Sequence, residues 1–259
     1  MIAFLRRPGA RLILVAAAAY LAFLVASLPA AWMGVALERA SGGKLVLGEP
    51  RGTAWKGQGA LALLSLGGYR RLVDLQWRLN PLALVSGRLS FAIAGSAPEA
   101  RVRANLDFGP GSVTWRNVEA AAPAGAFEQA IPALALAKPE GRVRVQADHL
   151  ELGKNSLRGA ATVEWTGGGL PGLHTPRLGD YRLQITGNGD RADLRLATLR
   201  GDLRLNAQGE WRAAQPRALQ MRGVAQYPAE RKDLEALLPL LGVRGSGTSR
   251  PFLWTVPIG

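Results

Sequence analysis

A chain of 259 residues, 48% of them hydrophobic, is long enough to bury a core, and its 32 glycines suit many short strands joined by tight turns. With no cysteine it can build no disulfide framework, thiolate metal site or cysteine nucleophile. The net charge of +13 is almost wholly arginine, yet residues such as Arg142, Arg144, Arg195 and Arg204 alternate with apolar positions, as on a solvated sheet face, and no nucleic-acid partner is expected.

In chain order, Arg6, Arg7 and Arg11 precede a run without a charged residue from Leu12 to Leu37. A helix rises about 1.5 Å per residue, so roughly 20 apolar residues cross a bilayer core. The basic flank stays in the cytoplasm. This predicts a cytoplasmic flank over 1–11, a transmembrane anchor over 12–37 and a periplasmic β domain over 38–259, held at the inner membrane of a Gram-negative cell. A cleaved signal peptide shares the basic start, with Val25, Ala26 and Ser27 as its cleavage site. The apolar run continues past that point, and Trp32 suits an interfacial anchor, which favours retention. Pro29 ends or kinks the helix.

The segment Glu49 to Leu64 holds Gly52, Thr53, Trp55 and Gly57 in the pattern Gly-Thr-x-Trp-x-Gly. Two glycines permit a tight backbone path around one buried bulky side chain, so the motif reads as a determinant of the fold before a contact with a partner.

Period-two alternation follows in Arg71–Leu79, Arg88–Ala94, Arg101–Phe108 and Ser112–Glu119, and it places one sheet face in a core. Trp77, Trp115 and Trp211, each followed by Arg, and Trp165 read as core or edge-shielding aromatics ahead of a ligand-stacking series. Pro123 to Lys138, rich in Ala and Pro, reads as a connector with a short helix, a place where the domain can subdivide near 123–138. From Asp180 to Ala213, Gly187-Asn188-Gly189-Asp190 and Arg200-Gly201-Asp202 mark two reversals, which predicts three successive antiparallel strands.

Over Pro228 to Leu241, the spacing of Leu234, Leu237, Leu238 and Leu241 predicts one short amphipathic helix, limited by Pro239 and Gly242. Its leucine stripe packs onto the sheet or meets a partner. Phe252 and Trp254 belong to a tail that forms a final edge strand or an exposed docking segment. Leu234, Leu237, Leu238, Phe252 and Trp254 are thus the candidate interaction surface. The expected fold class is all-β, a curved antiparallel sheet or sandwich of many short strands, with an N-terminal transmembrane helix and one short C-terminal helix.

Chemistry is sparse. His149 and His174 are the only histidines and match no zinc spacing, so no metal is expected. Gly167-Gly168-Gly169 lacks the Gly-Lys-Ser/Thr of a phosphate loop, and no Gly-x-Ser-x-Gly is present. The expectation is a protein that is not an enzyme, with no catalytic residue and no cofactor.

Gly52, Thr53, Trp55 and Gly57, then Trp77 to Leu84, Gly87-Arg88-Leu89, Gly179 to Leu183 and the closing helix together resemble the type II secretion system protein N family. The resemblance implies an inner-membrane subunit of the machine that exports folded proteins from the periplasm, with other secretion subunits as partners and scaffolding by protein contacts as its mode of action. The alternative is a periplasmic lipid-binding or lipid-transfer protein that leaves an apolar sheet groove open. Whether the leucine face is covered separates the two.

Overall fold

A computed structural model describes residues 8–65, 68–127, 137–213, 218–238, 243 and 246–257. The chain opens with two helices, α1 (Pro8–Ala26) and α2 (Ala31–Ala40). The strands follow as β1 (Leu45–Gly52), β2 (Lys56–Ser65), β3 (Gly68–Asn80), β4 (Leu89–Ser96), β5 (Arg101–Gly109), β6 (Ser112–Pro123) and β7 (Glu140–Gly153). The second half comprises β8 (Ser156–Leu170), β9 (Thr175–Gly189), β10 (Arg191–Gly201), β11 (Arg204–Arg212), β12 (Ala218–Gln226), the short helix α3 (Lys232–Leu237) and β13 (Ser249–Pro257).

All the strands form one antiparallel sheet in which each pairs with the next in sequence, and β1 and β13 are its edges. The fold is therefore all-β, a single open sheet and not a sandwich. Such a meander needs only tight reversals, and glycine supplies them where positive φ is required, as at Gly111 (φ 84°) between β5 and β6. The two predicted reversals around β10 are present, so β9, β10 and β11 are successive antiparallel strands.

The single crossing expected over Leu12–Leu37 is not one helix. α1 stops at Ala26, Pro29 makes an isolated bridge with Thr53, and α2 begins at Ala31. Pro29 has no amide hydrogen for the helix ladder, and it disfavours helical geometry at Leu28. Among the described residues, no helix is long and apolar enough to cross a membrane. Arg6 and Arg7, residues 128–136 of the connector, and Pro239, Leu241 and Gly242 at the end of the predicted C-terminal helix lie outside the described residues.

Register carries the alternation across the whole sheet. One row of cross-strand partners runs Leu75, Gly95, Val102, Ala120, Val145 and Val163 from β3 to β8. It continues through Leu183, Leu196, Ala207, Gly223 and Phe252 to β13, without a polar side chain. The neighbouring row on the opposite face includes Gln76, Arg103, Glu119, Gln146, Gln184 and Arg195. Because side chains alternate at every residue, a slip of one register position would exchange these faces. Irregular pairing at Asn117 (φ 50°) in β6 and between Gln146 and His149 in β7 inserts bulges, which bend strands and raise local twist.

The apolar face is covered at its two ends. Near β1, Ala30, Leu47 and Trp77 form a buried cluster, with Met33 and Leu37 of α2 packed against it. Toward β13, α3 and the residue that follows it deliver Leu234, Leu237 and Leu238 into a larger core with Leu203, Val243 and Phe252. Between these caps Ala104 and Ala147 are buried, but larger apolar side chains of the central strands such as Val102, Val113, Val143 and Val145 are only half-buried.

Candidate functional site

The Gly-Thr-x-Trp-x-Gly motif forms the turn between β1 and β2. Gly52 sits at φ 91°, and a Cβ there would lie 2.6 Å from the Lys56 carbonyl oxygen, so the position demands glycine. The Thr53 and Lys56 backbones close the turn, Thr53 N–H donating to Lys56 O at 2.9 Å, while the Lys56 N–H donates to Thr53 Oγ1 at 3.2 Å.

This turn is stitched to the elbow between α1 and α2. Ala54 N–H donates to Leu28 O at 2.8 Å, Ala30 N–H to Gly52 O at 3.2 Å, and the Trp55 indole N–H to Val25 O at 2.7 Å. On its other side, Leu79 N–H of β3 donates to Trp55 O at 2.7 Å and the Trp77 indole N–H to Ala54 O at 3.2 Å. The last carbonyls of a helix have no partner within it, and this motif engages one of them in α1, that of Val25. The bulky side chain held against glycine is Trp77, not Trp55. Trp77 is buried and lies over Gly57, its partner in the register, whereas Trp55 is half-buried and reaches the helix end.

The second feature is a cavity of about 460 Å³ on the apolar face, lined by Val143, Val145, Val163, Trp165, Tyr181 and Trp254 among others, all of them apolar or aromatic. The polar atoms nearby are tied to backbone: the Trp165 indole N–H donates to Glu140 O at 2.8 Å and the Tyr181 hydroxyl to Leu203 O at 3.0 Å. Burial, with the neighbouring Asp180 charge adding to it, pushes the Tyr181 phenol well above its ordinary pKa. Among the described residues no acidic or basic side chain lines the cavity, which can take apolar matter.

A family model described as type II secretion system (T2SS), protein N matches residues 43–252, most of the chain. The chain belongs to this family. No curated protein and no solved structure matches it. The matched range in this protein N family member takes in the motif and the sheet as far as Phe252, and it begins after α2. As a family member, the chain is a component of the type II secretion system.

Within the protein N fold, the expected interaction surface divides. Leu234, Leu237, Leu238 and Phe252 are buried, and the Phe252 and Trp254 rings pack at 4.4 Å, so the leucine stripe serves the core of the sheet. Trp254 is half-buried on the final strand and lines the cavity, so the tail forms a strand. His149 lies opposite Arg116 and Ala160 in the register, and His174 occupies a turn at φ 60°.

Two arginines that sequence reasoning passed over hold the C-terminal cap. Arg231 pairs with Asp233 at 2.7 Å and with Asp202, and donates to Arg177 O at 2.9 Å, tying α3 to β9 and to the β10–β11 turn. Its guanidinium holds the Asp233 carboxyl below the usual carboxylate range. Arg250, buried on β13, donates to Glu235 Oε1 at 2.7 Å, Tyr227 Oη at 2.9 Å and Gly247 O at 2.8 Å. An isolated arginine in an apolar tail is a weak signal, and only its place beside apolar Phe252 pointed inward.

Proposed function

We propose that the chain is a non-catalytic scaffold subunit of the type II secretion machine, held to the inner membrane by its N-terminal apolar segment and contacting other secretion subunits from the periplasmic side. Family membership supplies the machine. The observation that carries the scaffold reading is the half-exposed apolar face of β4 to β8, flanked by two closed caps: a contiguous apolar surface is covered by a partner more often than by water. Membrane attachment is supported by the uncharged run from Leu12 to Leu37 after three arginines. The elbow's bonds to Gly52, Ala54 and Trp55 make the end of α1 part of the sheet's frame, so the segment that meets lipid also sets the orientation of the domain.

A second reading rests on the cavity of about 460 Å³, whose apolar lining suits a lipid chain and falls in the size range of small-ligand sites. The two readings assign different occupants to one face. Photo-cross-linkers placed at Val102, Val113 and Val145 in intact cells decide between them: capture of secretion subunits supports scaffolding, and capture of phospholipid alone overturns it in favour of lipid handling. Alkaline extraction of membranes tests the anchor separately, since release of the full chain into the soluble fraction would remove it.

A further inference from the structure

On the polar face, at the β1 side of the sheet, a recess of about 580 Å³ is lined by Arg51, Lys56, Arg78 and Arg103 around the small residues Ala92 and Ala94. Among the described residues no acidic side chain lines it. Register explains the convergence: Lys56 stands directly opposite Arg78, Arg78 opposite Ala92, and Ala94 opposite Arg103. Two cations facing each other across a strand pair destabilise a sheet, and the alanines leave open the space between the charged pair and Arg103.

On the same face Arg116 pairs with Asp107, Arg182 with Glu164 at 2.7 Å and Arg212 with Glu210 at 2.8 Å, whereas among the described residues Arg144, Arg195, Arg204 and Arg222 make no ion pair but stand apart from one another along the sheet. Among the described residues, no ion pair engages Lys56, Arg78 or Arg103. Glu119 stands opposite Arg103 in register without pairing to it, and Arg51 meets Glu49 at 3.6 Å between two largely exposed side chains. What sets the recess apart from the other unpaired arginines is convergence, four cations lining one concave site, and that arrangement suits an anion.

Its position indicates which anion. Lys56 follows Trp55, whose indole bonds to the end of α1, and Gly52 beside Arg51 accepts the Ala30 amide of the elbow. If Leu12–Leu37 enters the bilayer, this corner of the sheet is the part set beside the headgroups. Guanidinium and ammonium groups are suited to phosphodiester oxygens, and anionic lipid surfaces attract basic groups within a Debye length. We propose that the recess binds the phosphodiester headgroup of an anionic phospholipid, which fixes the sheet against the membrane surface. This inference rests on the membrane reading of the N-terminal segment.

The test uses the full chain in an uncharged maltoside detergent, titrated calorimetrically with dihexanoyl phosphatidylglycerol below its micellar concentration. Its phosphocholine counterpart, inorganic phosphate and a glutamate-rich peptide are titrated in parallel. The expected result is saturable binding of the anionic lipid that weakens with added salt, with the phosphocholine lipid silent and phosphate weaker. Lys56→Gln with Arg78→Gln, both at exposed positions, is expected to weaken binding roughly 30-fold.

Ala92→Glu, also exposed, places a carboxylate opposite Arg78 and is expected to abolish binding while raising the melting temperature, an outcome that misfolding cannot imitate. Equal binding of the two lipids, unchanged affinity in either variant, or phosphate binding as tightly as the lipid overturns the headgroup assignment. Binding of the peptide without the lipid overturns it in favour of an acidic protein partner. Because the titration needs no bilayer crossing, its result is separate from that of alkaline extraction, which tests the membrane reading.

Discussion

The indole N–H of Trp55 donates to the carbonyl oxygen of Val25 at 2.7 Å, so a residue of the β1–β2 turn caps the last turn of α1. Trp55→Phe keeps the ring and removes the donor. A single hydrogen bond of this kind contributes about 1 kcal/mol, and for a chain of this size the loss lowers the melting temperature by roughly 2 to 4 °C. Hydrogen exchange at the Ala30 and Ala54 amides, which bridge the same elbow, is expected to speed up in the variant. Exchange and melting identical to wild type would show that the bond does not hold the elbow.

Gly57 and Trp77 face each other in the register, and a Cβ at Gly57 would meet both the Trp77 ring and the Arg51 carbonyl oxygen, the latter at 2.7 Å. Trp77→Ala empties a buried site and is expected to cost about 3 to 5 kcal/mol. Gly57→Ala overpacks it and is expected to cost about 1 to 3 kcal/mol. Combined, the two substitutions should cost less than their sum, because the alanine at 57 then enters space vacated by the indole. Urea denaturation of the four proteins measures the cycle, and strict additivity would mean that the ring and the glycine do not touch.

The strand content was legible where alternation is clear, in Arg71–Leu79, Arg88–Ala94, Arg101–Phe108, Ser112–Glu119 and Asp180–Ala213, and a meander adds no long-range pairing that a sequence must conceal. The partner of Gly57 was not legible, since Trp77 reaches it only through pairing between β2 and β3. The order of residues suggests Trp55 for that place, because it lies between the two glycines in sequence. The split of the N-terminal apolar run was partly visible in Pro29, but the bonds that fix the elbow come from residues far along the chain, Gly52, Ala54 and Trp55. The cationic recess was hidden for the same reason: Lys56, Arg78 and Arg103 converge only across three strand pairings, whereas in sequence they look like the scattered arginines of any solvated face.

Arg250 is buried while its partner Glu235 remains half-exposed, with side-chain exposures of 7% and 57%. Removing the acid leaves a guanidinium out of water without its counter-charge, whereas removing the arginine frees the acid to solvate. Glu235→Ala is therefore expected to destabilise more than Arg250→Met, by about 2 kcal/mol against about 1 kcal/mol once solvent screening at Glu235 is allowed for. Denaturant midpoints of the two variants give the order, and the reverse order would assign the dominant role to the arginine's hydrogen bonds to Tyr227 and Gly247.

Tyr181 is buried beneath the cavity, and its phenol is held protonated far above the ordinary value by burial first and by the Asp180 charge second. The unfolded chain releases that proton above about pH 10 while the folded chain keeps it, so the stability linked to this group is intact below pH 10 and declines as pH rises further. At neutral pH, Tyr181→Phe loses the hydrogen bond to Leu203 O and is expected to cost about 1 kcal/mol, the Thr198 hydroxyl, 3.4 Å from the same carbonyl, limiting the loss. At pH 11 the variant has no phenol to ionise on unfolding, so the stability gap between it and wild type should narrow or reverse. Urea unfolding at pH 8 and pH 11 measures both gaps, and a gap of the same size at the two pH values would mean that the folded chain releases the Tyr181 proton as readily as the unfolded one.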